Sequence, residues 1–202
     1  MGGFTSTDLR IALTAIADAM ERQRDELNAA DARLGDGDLG VTMVRGTRAI
    51  VEELDRIPAD LGQAFIRCAS ALTRTSGSSF GTLLATGLMS FARSCKGRTE
   101  VPWGELSGLI GGALQAMASR GKSSLGGKTV LDAIEAARAA TLGLDDPGAL
   151  ARAADEAIGR CLEEFRDRPA QQGRARMFGE RSRGLDDPGM LALKRIAEAL
   201  AG

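Results

Sequence analysis

The stretch from Gly81 to Ser94 reads GTLLATGLMSFARS and is the strongest indicator of the fold class. It combines helix-forming residues with apolar side chains on most sides, so it predicts a helix at the centre of a bundle. Outward from this stretch, apolar residues recur at helical spacing through most of the 202 residues, beginning with Leu9, Leu13 and Ile16. No alternating run rich in Val, Ile and Thr indicates a strand.

Glycine, proline and serine clusters divide this helical pattern into about eight helices. They are expected over about 6–28, 41–55, 58–74, 81–94, 102–120, 129–142, 146–165 and 187–201. Between the last two lies the Arg-rich segment, residues 166–187, which has little apolar periodicity. We therefore predict one all-α domain over residues 1–202, a bundle in which short loops make neighbouring helices antiparallel.

The composition argues against several classes of protein. With 26 basic and 27 acidic residues the net charge is −1, so a nucleic acid is not expected as a partner. No apolar run is long enough for a membrane span, and we expect no signal peptide. Three separated cysteines indicate reduced core residues of a cytoplasmic protein. The chain contains no histidine, which excludes Ser-His-Asp and Cys-His nucleophile systems and argues against a zinc site.

Three carboxylates fall within eight residues in the run DARLGDGDLG, from Asp31 to Gly40. The interleaved glycines would allow Asp36 and Asp38 to turn toward one point. Converging carboxylates need a cation, and hard oxygen ligands favour Mg²⁺ or Ca²⁺ over softer metals. Mg²⁺ is usually held by few carboxylates, and phosphate oxygens and waters complete its shell, so the run predicts a Mg²⁺–phosphate site. The spacing is not that of an EF-hand. The alternative is a solvated turn that caps the next helix, and composition alone leaves both open.

Three further loops contain small or cationic residues, at 75–81 (TSGSSFG), 121–129 (GKSSLGGKT) and 173–184 (GRARMFGERSRG). The first could bind an anion at a helix N-terminus, although a Ser-rich N-cap is the simpler explanation. The second is not a P-loop, because Lys122 stands where glycine is required; it is either a phosphate- or ribose-facing loop or a plain connection. The third offers arginines for phosphate, or is a disordered basic linker.

Together these segments resemble the L-subunit family of dihydroxyacetone kinases, which also occurs as the C-terminal nucleotide domain of single-chain kinases. The family's motifs fall at Asp31–Gly40, Gly77–Ser79, Arg120–Lys122, Gly126–Asp132 and Gly173–Gly189. Each motif is weak alone, but their order and spacing hold over about residues 28–190. The resemblance implies a barrel of eight antiparallel amphipathic helices that holds ADP or ATP and two Mg²⁺ at one end.

The resemblance also implies a set of site residues. Asp31, Asp36 and Asp38 would be the metal ligands, and through the metal they would be catalytic together with Arg174. Nucleotide contacts would fall on Leu39, Gly40, Val41, Thr42, Ser78, Ser79, Gly121, Val130, Arg174, Asp187, Pro188 and Gly189. The Arg-rich segment would act as a flexible lid, with Arg174 near the phosphates or over the nucleotide.

The chain departs from the family's pattern at four positions. Leu39 stands where relatives commonly have histidine, and Gly127 where they have an acidic residue. In the Arg-rich segment, Arg176 and Met177 replace a small polar residue and an aromatic. The three aspartates are intact, so metal and phosphate binding are still expected.

In the family a separate K subunit or domain holds the ketose covalently through a histidine. This chain has none, so we expect a kinase subunit that acts only with a K-type dihydroxyacetone-binding partner. The sugar is expected to be a triose such as dihydroxyacetone, with a tetrose left open. Free ATP could be the donor, or bound ADP could be rephosphorylated by a phosphohistidine protein of a phosphotransferase system. A homodimer is left open as an assembly. The alternatives to a kinase subunit are a nucleotide-loaded regulatory module and a metal-binding helical protein without nucleotide.

Overall fold

The computed structural model describes residues 2–75 and 77–202, and it confirms the all-α class. Ser76, part of the predicted loop at 75–81, lies outside the described residues. The α-helices are α1 Ser6–Leu34, α2 Leu39–Val51, α3 Leu61–Thr75, α4 Ser79–Ser94, α5 Leu106–Gly121, α6 Val130–Ala140, α7 Pro147–Arg166 and α8 Pro188–Ala201.

The helices form a closed barrel. Each packs against the next one in sequence, and α8 packs back against α1. Most connections are short, so successive helices are antiparallel. The N-termini of α2, α4, α6 and α8 therefore share one end of the barrel with the C-termini of α1, α3, α5 and α7. We call this the site end. Fully buried side chains such as Met20, Leu27 and Met190 fill the interior.

The prediction of a central fourth helix was wrong. α4 lies in the barrel wall between α3 and α5. Its apolar residues are divided among three hydrophobic clusters: Leu84 packs against the first and second, and Leu88 against the second and third. Met89 is 37% exposed. A barrel this narrow needs apolar side chains over a wide arc of each wall helix, which a sequence pattern does not distinguish from complete burial.

The first helix is longer than predicted. We expected it to end near Asn28, but α1 continues to Leu34 and stops at Gly35. Leu27, Asp31 and Leu34 form one buried stripe at helical spacing, and the intervening alanines favour the helix. Asp31 consequently lies on the last turn of α1, where the helix fixes its direction, and not in the loop.

The absence of strands was also predicted wrongly. Residues Gly3–Thr5 (β1) and Glu100–Pro102 (β2) form a two-stranded antiparallel sheet in which Phe4 lies opposite Val101. Three residues are too few to show an alternating pattern. Pro102 therefore ends a strand and does not open α5, which begins at Leu106 after a short 3₁₀ turn. Within the described residues, no helix has both the length and the apolarity that crossing a bilayer requires.

Candidate functional site

The three aspartates form an acidic cluster at the site end of the barrel. Asp31 lies on the last turn of α1, Asp36 in the connection to α2, and Asp38 at the N-cap of α2. One carboxylate oxygen from each lies within 4.8 Å of the other two. Asp31 is 9% exposed, whereas the Asp36 side chain is 52% exposed. The structure thus brings the three together around a point open to solvent on one side.

Asp31 is held by the backbone at the start of α2. Its Oδ2 accepts hydrogen bonds from the N–H groups of Asp38 (3.0 Å) and Leu39 (3.3 Å). Burial raises the pKa of Asp31, as does the nearby charge of Asp36, while these hydrogen bonds act in the opposite direction. A buried carboxylate in this position is stabilised by a cation, so the cluster has the electrostatic character of a metal site.

Close approach of α2 to α1 sets the position of the cluster. A Cβ atom on Gly40 would lie 2.0 Å from the carbonyl oxygen of Arg24 and 2.8 Å from Oδ1 of Asn28. The same Asn28 oxygen accepts a hydrogen bond from the Val41 N–H (3.2 Å). Only glycine fits at position 40, and its presence lets the first turn of α2 reach Asp31.

Arg174 approaches the cluster from the opposite end of the chain. It opens a nine-residue 3₁₀ segment, Arg174–Ser182, broken at Gly179. Its guanidinium forms a salt bridge with Asp36, a residue 138 positions earlier. This contact holds the pKa of Asp36 below its usual value. The Arg-rich segment, for which the sequence left open a phosphate-binding loop or a disordered linker, thus reaches the acidic cluster through Arg174.

Apart from Arg174, the residues expected to contact a nucleotide lie at the ends of α-helices on this side of the barrel. Leu39, Gly40, Val41 and Thr42 are the first turn of α2; Ser78 and Ser79 begin α4; Gly121 ends α5; Val130 begins α6; and Asp187, Pro188 and Gly189 begin α8. The N-termini of α4 and α8 touch, because a Cβ atom on Gly189 would lie 3.0 Å from Cε2 of Phe80. Four helices direct the positive ends of their dipoles toward this end of the barrel, an arrangement that favours an anion.

Two of these residues cannot use their side chains on a ligand. Leu39 and Val130 are 6% and 3% exposed and belong to core clusters. The departure from histidine at Leu39 therefore places a core side chain beneath the site. The Asp187 carboxylate accepts a hydrogen bond from the Met190 N–H (2.9 Å) and caps α8. Burial raises the pKa of Asp187 to about 6.

Sequence reasoning missed the part played by Lys128. We treated it as one cation of an interhelix loop, but it is 1% exposed and its Nζ donates hydrogen bonds to three backbone carbonyls. An indirect signal was present: Thr129 and Asp132 have the spacing of a capping box, and they form one at the start of α6. The capping box fixes the conformation of Thr129, the residue that follows Lys128.

The arrangement joins two kinds of binding group. Clustered carboxylates with room for water and phosphate oxygens suit Mg²⁺, and helix N-termini beside an arginine suit phosphate. A phosphate ester with a bound divalent cation would contact the carboxylates through the metal, and the helix N-termini and arginine through its oxygens.

Comparison with known proteins agrees with this chemistry. Residues 33–202 match the model of the DAK2 domain. The chain is 31% identical over 176 residues to a Listeria innocua protein, "PEP-dependent dihydroxyacetone kinase 2, ADP-binding subunit DhaL", covering 84% of this chain and 82% of that one. It is 29% identical to the Escherichia coli "PEP-dependent dihydroxyacetone kinase, ADP-binding subunit DhaL", covering 94% and 92%.

Longer proteins contain the same unit. The human "Triokinase/FMN cyclase" is 30% identical over 98% of this chain, which spans 35% of its length. The crystal structure of the dihydroxyacetone kinase of C. freundii superposes with a TM-score of 0.78 at 23% identity, over the whole of this chain and 35% of that one. A complex of that kinase with AMP-PNP and Mg²⁺ gives 0.77. The fold is shared, and on its sequence the chain belongs to the DAK2 domain family.

Proposed function

We propose that this chain is the ADP/ATP- and Mg²⁺-binding subunit of a kinase for dihydroxyacetone or a related short-chain ketose. The observation that carries the proposal is the acidic cluster, whose three carboxylates share the site end with four helix N-termini and with Arg174. The printed names of the Listeria and E. coli relatives, both ADP-binding subunits, support the same function.

The acidic cluster fits Mg²⁺ in its chemistry and its surroundings. Asp31, Asp36 and Asp38 offer only hard oxygen donors. These oxygens lie within 4.8 Å of one another, and Asp36 and Asp38 are exposed to solvent. We assign two Mg²⁺ to the site, because the nucleotide phosphates would add their negative charge to three carboxylates that Arg174 offsets only in part. Bound there, the metal would neutralise negative charge on the terminal phosphates of the nucleotide.

The nucleotide phosphates would lie against the N-termini of α2, α4, α6 and α8. In the first turn of α2, the Leu39 and Val41 N–H groups already bind Asp31 and Asn28. That turn therefore orients the cluster, while Ser78, Ser79 and Asp187–Gly189 offer contacts from α4 and α8. Arg174 would pair with the phosphoryl oxygens as charge develops on them.

The sugar would be held by a K-type partner subunit. With no histidine, this chain cannot form the covalent sugar adduct expected of that partner. Its own contribution would be alignment of the donor phosphate and stabilisation of the transferring group, which together account for most catalysis in phosphoryl transfer. The words "PEP-dependent" in the relatives' names favour the donor mode in which bound ADP is rephosphorylated by a phosphohistidine protein.

Reconstitution tests the proposal. The chain is mixed with a K-type subunit, dihydroxyacetone and Mg²⁺, with either ATP or bound ADP plus a phosphohistidine protein, and dihydroxyacetone phosphate is measured. We expect product only when both subunits are present, and none with Asp38→Asn. The matched control is Asp145→Asn, a substitution at an exposed aspartate before α7. A chain that binds MgADP but transfers no phosphate in either arm would instead be a nucleotide-loaded regulatory module.

A further inference from the structure

Lys128 is buried in an unusual environment for a lysine. It is 1% exposed, and its Nζ donates to the carbonyl oxygens of Arg166 (2.9 Å), Arg168 (2.9 Å) and Ser182 (2.8 Å). An ammonium group has three N–H donors, so these contacts use its full capacity. Burial lowers the pKa of Lys128. A charged group is costly to bury without partners, and here all three hydrogen bonds go to the main chain of one segment.

The three carbonyls lie on both sides of the part of the chain that carries Arg174. Arg166 and Arg168 precede it, and Ser182 follows it. The Ser182 hydroxyl adds a second closure, because it accepts from the Ala170 N–H (2.7 Å) and donates to the Gly179 carbonyl (2.5 Å). One ammonium group therefore holds together the two ends of the stretch 169–181.

A second set of contacts joins the loop that contains Lys128 to the Arg-rich segment. The Gln172 side chain accepts from the Ser124 N–H (2.8 Å) and donates to the Ser124 hydroxyl (2.8 Å). The Gln171 N–H donates to the Gly127 carbonyl (3.1 Å). A Cβ atom on Gly127 would lie 2.7 Å from Cδ of Gln172. Glycine at position 127, where relatives have an acidic residue, is thus what allows Gln172 to lie against this loop.

The anchored residues Gln171 and Gln172 lie just before Arg174 in the chain. Gly173 adopts a positive φ of 67° between the last anchored residue and Arg174, whose guanidinium pairs with Asp36. Directly after Arg174, Ala175 is 5% exposed and packs in a cluster with Leu34 and Ala170, whereas Met177 is 86% exposed. The position of the Arg174 backbone is therefore set on one side by the residues that Lys128 and Gln172 anchor, and on the other side by the packing of Ala175.

We propose that Lys128 is a positioning residue that joins the two ends of the Arg-rich segment and thereby places Arg174 over the acidic cluster. Its Nζ makes no hydrogen bond to the acidic cluster or to an expected nucleotide contact. The charge of Asp187 also acts on its ammonium group, and a double variant with Arg174 separates that route from the one through Arg174. The inference rests on the proposed function for its catalytic meaning, but the anchoring itself is independent of any nucleotide.

Trypsin provides a test that needs no ligand. Lys128→Met keeps the side-chain length and removes the three donors. We expect cleavage after Arg174, Arg176 and Arg181 to rise at least about tenfold, the factor that loss of a single charge-assisted hydrogen bond would give. The matched control is Lys194→Met, which removes a partly buried lysine paired with Asp155 between α7 and α8. An unchanged rate in Lys128→Met, or an equal rise in the control, would overturn the proposal.

The dissociation rate of fluorescent mant-ADP with Mg²⁺ tests whether Lys128 acts through Arg174. Lys128→Met should speed release about tenfold in the otherwise native chain and have little effect when combined with Arg174→Met. Additive effects would show that Lys128 acts by another route and would contradict the proposal.

If the native chain binds no nucleotide, the proposed function fails, while the tryptic comparison still decides the anchoring. If Lys128→Met does not fold, Gln172→Ala must show faster cleavage, and an unchanged rate there overturns the proposal.

Discussion

Arg174 and Asp36 form a salt bridge at the mouth of the acidic cluster, so one proposed metal ligand is already paired with a guanidinium. The two side chains are each about half exposed, at 50% and 52%. A cation that binds Asp36 competes with Arg174 for this carboxylate and weakens the ion pair, which makes the guanidinium available to a phosphate. Arg174 should therefore oppose binding of metal alone and favour binding of metal with nucleotide.

This relationship predicts effects of opposite sign for Arg174→Met. Affinity for Mn²⁺ without nucleotide, measured by electron paramagnetic resonance, should rise about two- to fivefold, since exposed ion pairs contribute only about 0.2–1 kcal/mol. Affinity for MgADP should fall about tenfold or more, because a charge-assisted contact to phosphate is lost. Arg176→Met, two positions along the same segment, is the control. Equal losses in both affinities would argue against the competition.

Gly40→Ala should destabilise the protein. Its Cβ atom would lie 2.0 Å from the Arg24 carbonyl oxygen, a backbone atom that cannot move without separating α2 from α1. We expect a loss of about 2–3 kcal/mol or more in the free energy of unfolding, measured by denaturant titration. The control is Gly108→Ala in α5, where a Cβ atom meets nothing within 4 Å. That change should stabilise by about 0.5–1 kcal/mol. Equal effects at the two positions would show that α1 and α2 are not in close contact.

Asp187 makes stability depend on pH in an unusual direction for a carboxylate. Its pKa is about 6 in the folded chain, against a usual value of 3.8, because burial disfavours the charged form. The folded state therefore holds this proton to higher pH than the unfolded state, and its stabilising contribution is lost as pH rises from about 4 through 6. At pH 8 the ionised carboxylate costs no more than about 3 kcal/mol.

Asp187→Asn isolates this contribution, since an asparagine can still cap α8. Denaturant titrations of both proteins should give similar free energies of unfolding at pH 4. At pH 8 the variant should be the more stable by up to about 3 kcal/mol. A difference that does not change with pH would show that Asp187 is ionised throughout and is not desolvated.

The local features of the site could be read from the sequence, whereas its long-range contacts could not. Asp31, Asp36 and Asp38 are close in sequence, and interleaved glycines signal a turn that can gather them. Capping residues and proline likewise marked the starts of several helices correctly. The approach of Arg174 to Asp36 spans 138 positions and depends on how the barrel closes, which no local pattern encodes.

Two other features lay beyond sequence reasoning for physical reasons. The strands β1 and β2 are three residues each and are stabilised by pairing with each other, so neither carries its own signal. Lys128 resembles an ordinary loop cation, because its burial comes from the Arg-rich segment that folds over it. The end of α1 could have been predicted better, since the buried stripe continues through Asp31 and Leu34 up to Gly35.

Calorimetric titration of the metal-stripped chain with ADP, with and without Mg²⁺, tests the central claim most directly. The same titration of Asp38→Asn shows whether the acidic cluster is responsible, and Asp145→Asn controls for loss of a carboxylate elsewhere. We predict ADP binding that requires Mg²⁺, persists in Asp145→Asn and is lost or weakened at least about a hundredfold in Asp38→Asn, consistent with loss of a metal ligand. Binding of equal strength without Mg²⁺ or in Asp38→Asn, or no binding under any condition, would contradict the assignment of the cluster as the metal–nucleotide site.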